Sequence, residues 1–328
     1  MKKQDLKSKI ISKVERDLAD IETALHENLN PYYDLVSDIA GHLLFSGGKR
    51  LRPLLMILSS RICDYKNGSE IKFSTIFEYI HTATLLHDDV IDQAKMRRGK
   101  NTAHIIWDPS QVVLTGDFLL ARAMALVSET KLFEVVETIT NIIEDMTQGE
   151  IVQLNKKGKI NLTEHEYMEI IRRKTGVLIQ GACKTGAIIA KASKEKIKAL
   201  SDYGYYIGMA FQMADDLLDY TSDTKTMGKN TGIDIKEGKL TLPLIVTLKK
   251  ACKDDKEWLC KIIKNQNFKN KDFKDIVAML HKYKGIEYTR IKALEYVEKA
   301  KKTLKIFKLC KSKEIMNMIA DYSILRKV

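Results

Sequence analysis

Two copies of one carboxylate pattern stand out: Asp88-Asp89-Val90-Ile91-Asp92 and Asp215-Asp216-Leu217-Leu218-Asp219. Residues four apart share a helix face, so Asp88 stacks over Asp92 and Asp215 over Asp219. Like charges at that spacing cost a helix about 0.2–0.5 kcal/mol. Set twice beside Leu and Ile, they require compensating charge, and hard divalent cations supply it. Mg²⁺ favours carboxylate oxygen, keeps several waters and shares its shell with substrate phosphates. One copy alone reads equally well as a solvated acidic helix face. Two copies, together with the basic segments that accompany them, favour the metal.

Gly47-Gly48-Lys49-Arg50-Leu51-Arg52-Pro53 precedes an apolar helical stretch. Glycines let the backbone turn sharply, and the helix start offers free N–H groups to an anion, to which Lys49 and Arg52 add charge. His81 lies two turns before Asp88 on the same face, placed to donate to a phosphate, although a lone His on such a helix is commonly a core residue. Arg97 and Arg98 follow the first motif and suit bidentate phosphate contacts. Lys174-Thr175-Gly176 closes a further helix with an ammonium and a hydroxyl. Gln212 lies three residues before Asp215, and Lys229 and Lys239 lie in or beside a Gly-rich segment. Taken singly, each cation also fits a solvated surface. Together with two carboxylate clusters they suggest two anionic ligands, one clamped through metals and one held directly. That arrangement ionises one diphosphate while positioning a second.

The elements that must carry these groups read as helices. The 328 residues include only 4 Pro and 17 Gly, and 45% are hydrophobic, enough for a buried core. Helical patterning covers 5–27, a second helix to about Phe45, 51–63, 71–93, 111–128, 131–155, 163–174, 176–191 and 194–221. It resumes at Pro243 and runs to the end, with a break near Asn265–Lys271. A basic loop is expected from Lys95 to Asn101, and a Gly-rich loop at 222–239, placed to act as a lid. No strand-like alternation stands out. The expectation is an all-α fold, a single domain over 1–328, built as a bundle of roughly ten helices or more around a central cavity. A net charge of +12 suits anionic ligands, diphosphate or membrane surface among them. Much of it lies in helix-patterned Lys runs without interleaved aromatics, so nucleic acid is not expected as a partner. The 5 cysteines form no CxxC pair and read as reduced residues of a cytoplasmic protein. The N-terminus has no apolar signal core. No apolar stretch approaches the ~18 residues of a membrane span, although peripheral membrane contact stays open.

With these segments in order, the chain resembles the trans-isoprenyl diphosphate synthases of the polyprenyl synthetase family. The matching text is GGKRLRP at 47–53, LLHDDVID with MRRG at 85–99, GDFLLARA at 116–123, KTG at 174–176, FQMADDLLD at 211–219 and GKNTGIDIKEGKLTLP at 228–243. The resemblance implies an all-α fold with its active site in a central cavity, usually as a homodimer. It implies that Lys49, Arg52, His81 and Arg98 bind isopentenyl diphosphate. Asp88, Asp92 and Asp215 would hold Mg²⁺, up to about three ions, with Asp89, Asp216 and Asp219 supporting. Arg97, Lys174, Thr175, Gln212, Lys229 and Lys239 would hold an allylic diphosphate. The residues expected to carry catalysis are Asp88, Asp89, Asp92, Lys174, Asp215, Asp216 and Lys229. Charge on the departing diphosphate would be neutralised, an allylic cation formed, and the isopentenyl double bond would attack it.

Ala83 and Thr84, one turn below Asp88, are small where bulky aromatics stop elongation early in the family. A long all-trans polyprenyl diphosphate is therefore expected, a precursor of a quinone side chain, and the text around IHTATLLHDDVID is most like the bacterial octaprenyl diphosphate synthases. Small residues here also fit plain helix packing, which leaves a farnesyl or geranylgeranyl product open. A terpene cyclase would keep one DDxxD and not need the Lys49/Arg52 pocket. A squalene-type synthase would use DxxED-like motifs. A metal phosphohydrolase built on His87-Asp88 would leave Asp215 and Asp219 unused. A subunit of a heteromeric synthase is the non-enzymatic alternative.

Overall fold

The scarcity of helix breakers sets the architecture. The computed structural model describes residues 3–221, 232–265 and 270–325, and these are helical almost throughout. In chain order the elements are α1 (Lys3–Leu29), α2 (Asp34–Leu44), α3 (Leu51–Arg61) and α4 (Ser69–Ile91), then a hairpin of β1 (Met96–Arg97) and β2 (Lys100–Asn101). There follow α5 (Ala103–Ile106), α6 (Pro109–Glu129), α7 (Phe133–Lys156), α8 (Glu164–Ile171), a π-helical turn (Arg172–Gly176), α9 (Val177–Ile189) and α10 (Lys194–Thr221). The remainder holds α11 (Ile233–Lys236), α12 (Leu242–Lys250), α13 (Lys253–Asn265), α14 (Asn270–Lys282), α15 (Gly285–Thr303), a 3₁₀ turn (Leu304–Ile306) and α16 (Lys311–Ile324). The fold is an all-α bundle, as the composition indicates.

Periodicity explains the packing. On α1, Leu6, Ile10, Val14, Ile21 and Leu25 form one buried stripe while the charged residues face outward. The helix α9 is buried on nearly every face and packs against α3, α4, α7 and α10. Such close packing needs small residues. A Cβ on Gly186 of α9 would sit 2.3 Å from the Met56 carbonyl of α3. On α10, a Cβ on Gly208 would sit 2.8 Å from Gly176 Cα, so α10 runs directly against the π turn. One apolar core lies among α1–α7, α9, the first half of α10, the end of α15 and α16. The other gathers α8, the second half of α10, α11–α14 and the first half of α15.

Several elements depart from the sequence reading. Lys174-Thr175-Gly176 does not close a helix. Gly176 keeps right-handed helical angles (φ −63°), and α8 runs through the π turn into α9. The basic loop at 95–101 contains the hairpin, with Met96 paired to Asn101 and Arg97 to Lys100. Two-residue strands are too short to show alternation. The helix α6 is long and apolar enough, by length and composition, to cross a membrane, because its few charges are spread rather than clustered; it packs against α4, α2 and α7. Of the Gly-rich loop, the described part begins at Gly232 and holds α11. The rest, including Gly228 and Lys229, lies outside the described residues. The break after Asn265 falls between α13 and α14, and its interior too lies outside them.

Candidate active site

The first acidic motif sits in the last turn of α4, and the second lies towards the end of the described part of α10. The negative end of a helix dipole disfavours an anion by about 0.3–1 kcal/mol, so the carboxylates of the first motif need cations twice over. Lysines supply them. The Lys174 ammonium lies 3.5 Å from Asp88 and 2.5 Å from Glu150 of α7. Asp92 takes Lys157 on one oxygen at 3.1 Å and Lys239 on the other at 3.3 Å. Burial pushes the Asp88 carboxyl up against the opposing pull of Lys174. Burial also acts upward on Asp92, but Lys239 and Lys157 more than cancel it and hold that carboxyl below its ordinary value. Asp89 is buried, and the Arg97 Nε donates to both its oxygens at 2.8 and 2.9 Å. The Arg97 assigned to an allylic diphosphate is thus engaged with the first motif itself.

The second motif is joined to the first through the π turn. Lys174 reaches Asp88, and its neighbour Thr175 donates to Gln212 at 2.8 Å. Gln212 in turn donates to Asp216 at 2.8 Å, and the Tyr167 hydroxyl of α8 donates to the other Asp216 oxygen at 2.5 Å. Burial pushes Asp216 up to about 7, against the pull of those two donors. Asp219 accepts the backbone N–H groups of Ile233 at 3.1 Å and Asp234 at 3.0 Å, which fastens the start of α11 to α10. Asp234 is half-buried near Asp216 and Asp219, and desolvation with those two charges drives its carboxyl far above the usual range. Asp215 points outward and is exposed. Lys157, Lys174, Thr175, Gln212, Asp216 and Lys239 line one cavity of about 140 Å³.

A second, guanidinium-rich group gathers around His81. Arg98, in left-handed backbone (φ 52°), turns the hairpin back so that its guanidinium donates to the Gly47 carbonyl. The loop at 47–50 and the 96–101 hairpin therefore meet. His81 lies among these groups; burial first, then the positive charges of Arg52, Arg98, Arg97 and Arg50, drive its pKa well below the ordinary value. Its imidazole is neutral at physiological pH and keeps one N–H to donate. Arg52 is half-buried and Lys49 exposed.

The structure brings Asp88, Asp92, Lys174, Thr175, Gln212, Asp216 and Lys239 together, and sets Arg52, His81 and Arg98 apart as a second group. Lys229 lies outside the described residues. Ala83 is fully buried, and the Thr84 hydroxyl donates to the His81 carbonyl at 2.8 Å. His87 turns toward α6, 3.0 Å from the Val113 carbonyl and 3.5 Å from Asp117, and so away from the Asp88 that a phosphohydrolase built on His87-Asp88 would use. Four residues escaped the sequence reading. Glu150, Lys157 and Tyr167 enter only through tertiary contact. Arg50 lies inside GGKRLRP, yet it is a structural residue. Buried and in left-handed backbone (φ 45°), it bonds Glu22 at 2.6 and 2.9 Å, Glu78 at 2.8 Å and the Leu44 carbonyl at 2.7 Å.

Among the described residues no three His, Cys, Asp or Glu side chains converge on one metal position. What the site offers is pairs of carboxylate oxygens already facing cationic groups. An incomplete, all-oxygen shell of that kind fits Mg²⁺, which fills its remaining positions with water and phosphate oxygen.

The polyprenyl synthetase family model matches residues 33–280. The chain belongs to the polyprenyl synthetase family. Among its relatives, octaprenyl diphosphate synthase of Escherichia coli is 34% identical over 89% of this chain and 90% of its own length. A short chain isoprenyl diphosphate synthase of Methanothermobacter thermautotrophicus is 35% identical, covering 87% and 89%. A solved polyprenyl synthase from Caulobacter crescentus, complexed with calcium and isoprenyl diphosphate, superposes with a TM-score of 0.92 at 36% identity, covering 98% of each chain. This polyprenyl synthetase is a transferase, a trans-prenyl diphosphate synthase. The family is Mg²⁺-dependent.

Proposed function

We propose that this synthase joins isopentenyl diphosphate to an allylic diphosphate and extends it to a long all-trans product of octaprenyl-like length. The observation that carries this reading is the division of charge around the first motif. One group is the cluster of arginines around a neutral His81, joined by the Arg98 bond to the Gly47 carbonyl and suited to an anion bound without metal. The other is a cavity in which carboxylates and lysines face one another. We assign isopentenyl diphosphate to the first, with Lys49, Arg52, His81 and Arg98. The allylic diphosphate goes to the second, with Lys174, Thr175, Gln212, Lys229, Lys239 and, once released from Asp89, Arg97. Asp88, Asp92 and Asp215 would hold Mg²⁺, which when bound neutralises charge on the leaving diphosphate.

The residues of the chain do the rest. Lys174 and Lys239 place positive charge where the leaving oxygen becomes negative. Gln212 and Thr175 fix the cavity wall, and the apolar lining keeps water from the allylic cation. The isopentenyl double bond attacks that cation, and the departing diphosphate takes the proton released. Product length is read from Ala83 and Thr84, whose small side chains let a growing chain pass beneath Asp88.

The two apolar cores share α10, and we read 1–328 as one domain acting as a cytoplasmic homodimer. Exposed Val113 and Leu114 on α6, with Ile151 and Val152 on α7, favour the paired state. The charge of +12 favours brief contact with an anionic membrane as an apolar product leaves. The purified protein, given farnesyl and isopentenyl diphosphates with Mg²⁺, should yield mainly products longer than twenty carbons on reversed-phase chromatography. A dominant fifteen- or twenty-carbon product would refute the length assignment, and no condensation at all would refute the function.

A further inference from the structure

We propose that Lys157 is a further lysine of the diphosphate cavity: it holds Asp92 in the free enzyme and transfers to the allylic diphosphate when substrate and Mg²⁺ arrive. The inference rests on the function proposed above and adds a binding residue to it. Lys157 lies in none of the segments that carry the family resemblance, at the point where the chain leaves α7 in extended backbone (φ −57°, ψ 128°).

Its placement is built by its neighbours. On one side, the Lys156 ammonium lies 2.5 Å from Glu166, and Glu166 forms a capping box with Thr163 at the start of α8. On the other, Gly158 takes positive φ (77°) and its N–H donates to the Gly238 carbonyl at 2.8 Å. That bond ties the loop after α7 to the residue beside Lys239. The two lysines are therefore delivered as a pair, one to each oxygen of Asp92. Lys157 also lines the cavity with Lys174, Thr175 and Gln212.

Lys239 also bonds Glu237 at 2.6 Å, so it keeps a carboxylate if Asp92 turns away, whereas Lys157 does not, and an anion is then its complement. The Asp92 oxygens are the ones expected to turn to Mg²⁺. Lys157 is one-third exposed on a long, flexible stem, so it gives up its oxygen without moving the backbone. From there its ammonium faces the diphosphate that the cavity receives. Lys157 thus competes with the metal for Asp92 and cooperates with it on the substrate.

These two roles make opposite predictions, which a merely structural lysine would not. Lys157→Ala and Lys157→Arg are compared with the wild type by calorimetry with farnesyl thiodiphosphate, a probe that resists ionisation, in the presence of Mg²⁺. The Mg²⁺ concentration giving half-maximal thermal stabilisation, without substrate, is measured alongside. In Lys157→Ala the thiodiphosphate Kd should rise about 3- to 10-fold, while the Mg²⁺ midpoint falls. KM for isopentenyl diphosphate should stay as in the wild type, and Lys157→Arg should recover thiodiphosphate affinity. A fallen Mg²⁺ midpoint with an unchanged Kd would restrict Lys157 to Asp92 and overturn the transfer. Both quantities unchanged would overturn the assignment outright. Wild-type protein that binds no thiodiphosphate would sink the function reading as well, whereas normal wild-type binding beside an unchanged variant sinks this inference alone.

Discussion

Replacing Tyr167 by Phe removes one hydroxyl and nothing else from the second acidic motif. That hydroxyl donates to Asp216 at 2.5 Å, and both side chains are buried. Burial raises Asp216 to about 7, and the Tyr167 bond is the larger of two hydrogen bonds that oppose the rise. A group raised in the folded state contributes stability that is complete below its unfolded value and lost as pH climbs through the folded value. For Asp216 the loss runs from about pH 4 to just above pH 7. At pH 8 the partner of Tyr167 is a carboxylate, and the bond is worth about 1.5–3 kcal/mol. At pH 5.5 the partner is a neutral carboxyl, and the bond is worth about 0.5–1.5 kcal/mol. Tyr167→Phe should therefore destabilise the metal-free protein by about 1 kcal/mol more at pH 8 than at pH 5.5, which corresponds to raising Asp216 by a little under one further pH unit. Urea unfolding in chelator at the two pH values measures the difference. Equal destabilisation at both would mean that Asp216 does not change its charge between them, and the account of that carboxyl would fail.

Arg50→Met should cost about 3 kcal/mol in urea unfolding, because Glu78 is left buried without its guanidinium; a loss below about 1 kcal/mol would make Arg50 a surface-like charge. Gly208→Ala drives a methyl into Gly176 and displaces Lys174 and Thr175, so condensation should fall about 100-fold with helix content by circular dichroism intact. Activity within about twofold of wild type would show that the π turn tolerates the shift. Ala83→Tyr should shorten the product with turnover largely kept, and an unchanged product distribution would place the floor of the chain tunnel elsewhere.

The twin aspartate motifs are legible in the chain because their meaning is local. Four-residue spacing defines a helix face, and residue type defines the chemistry. Helix positions were legible for the same reason, and α10 begins where periodicity places it. The hairpin at 96–101 was not, since two residues carry no period. Lys157 became a site residue only by folding back 65 positions to Asp92, and nothing around it in the sequence marks that return. Tyr167 looks like an ordinary apolar helix residue until α8 is laid against α10. Arg50 shows the converse: it stands inside a recognisable segment, but the arginine two positions on draws the functional assignment while Arg50 shapes the loop.

The widened turn at Arg172–Gly176 also sets a rule about chain length. Each residue of an α-helix turns the chain by about 100° and advances it by about 1.5 Å. A π turn holds one residue more than the α-ladder accommodates, and it persists because its neighbours fix both ends. A π turn closes on i→i+5 rather than i→i+4 bonds, so it absorbs its extra residue within one wider turn. Deleting a single residue from 172–176 would let the α-ladder close with α8 and α9 nearly in phase. What such a deletion would alter is the turn itself, which carries Lys174 to Asp88 and Thr175 to Gln212. The segment separates fold from function: helix packing survives the loss of its extra residue, while the link between the two acidic motifs depends on it.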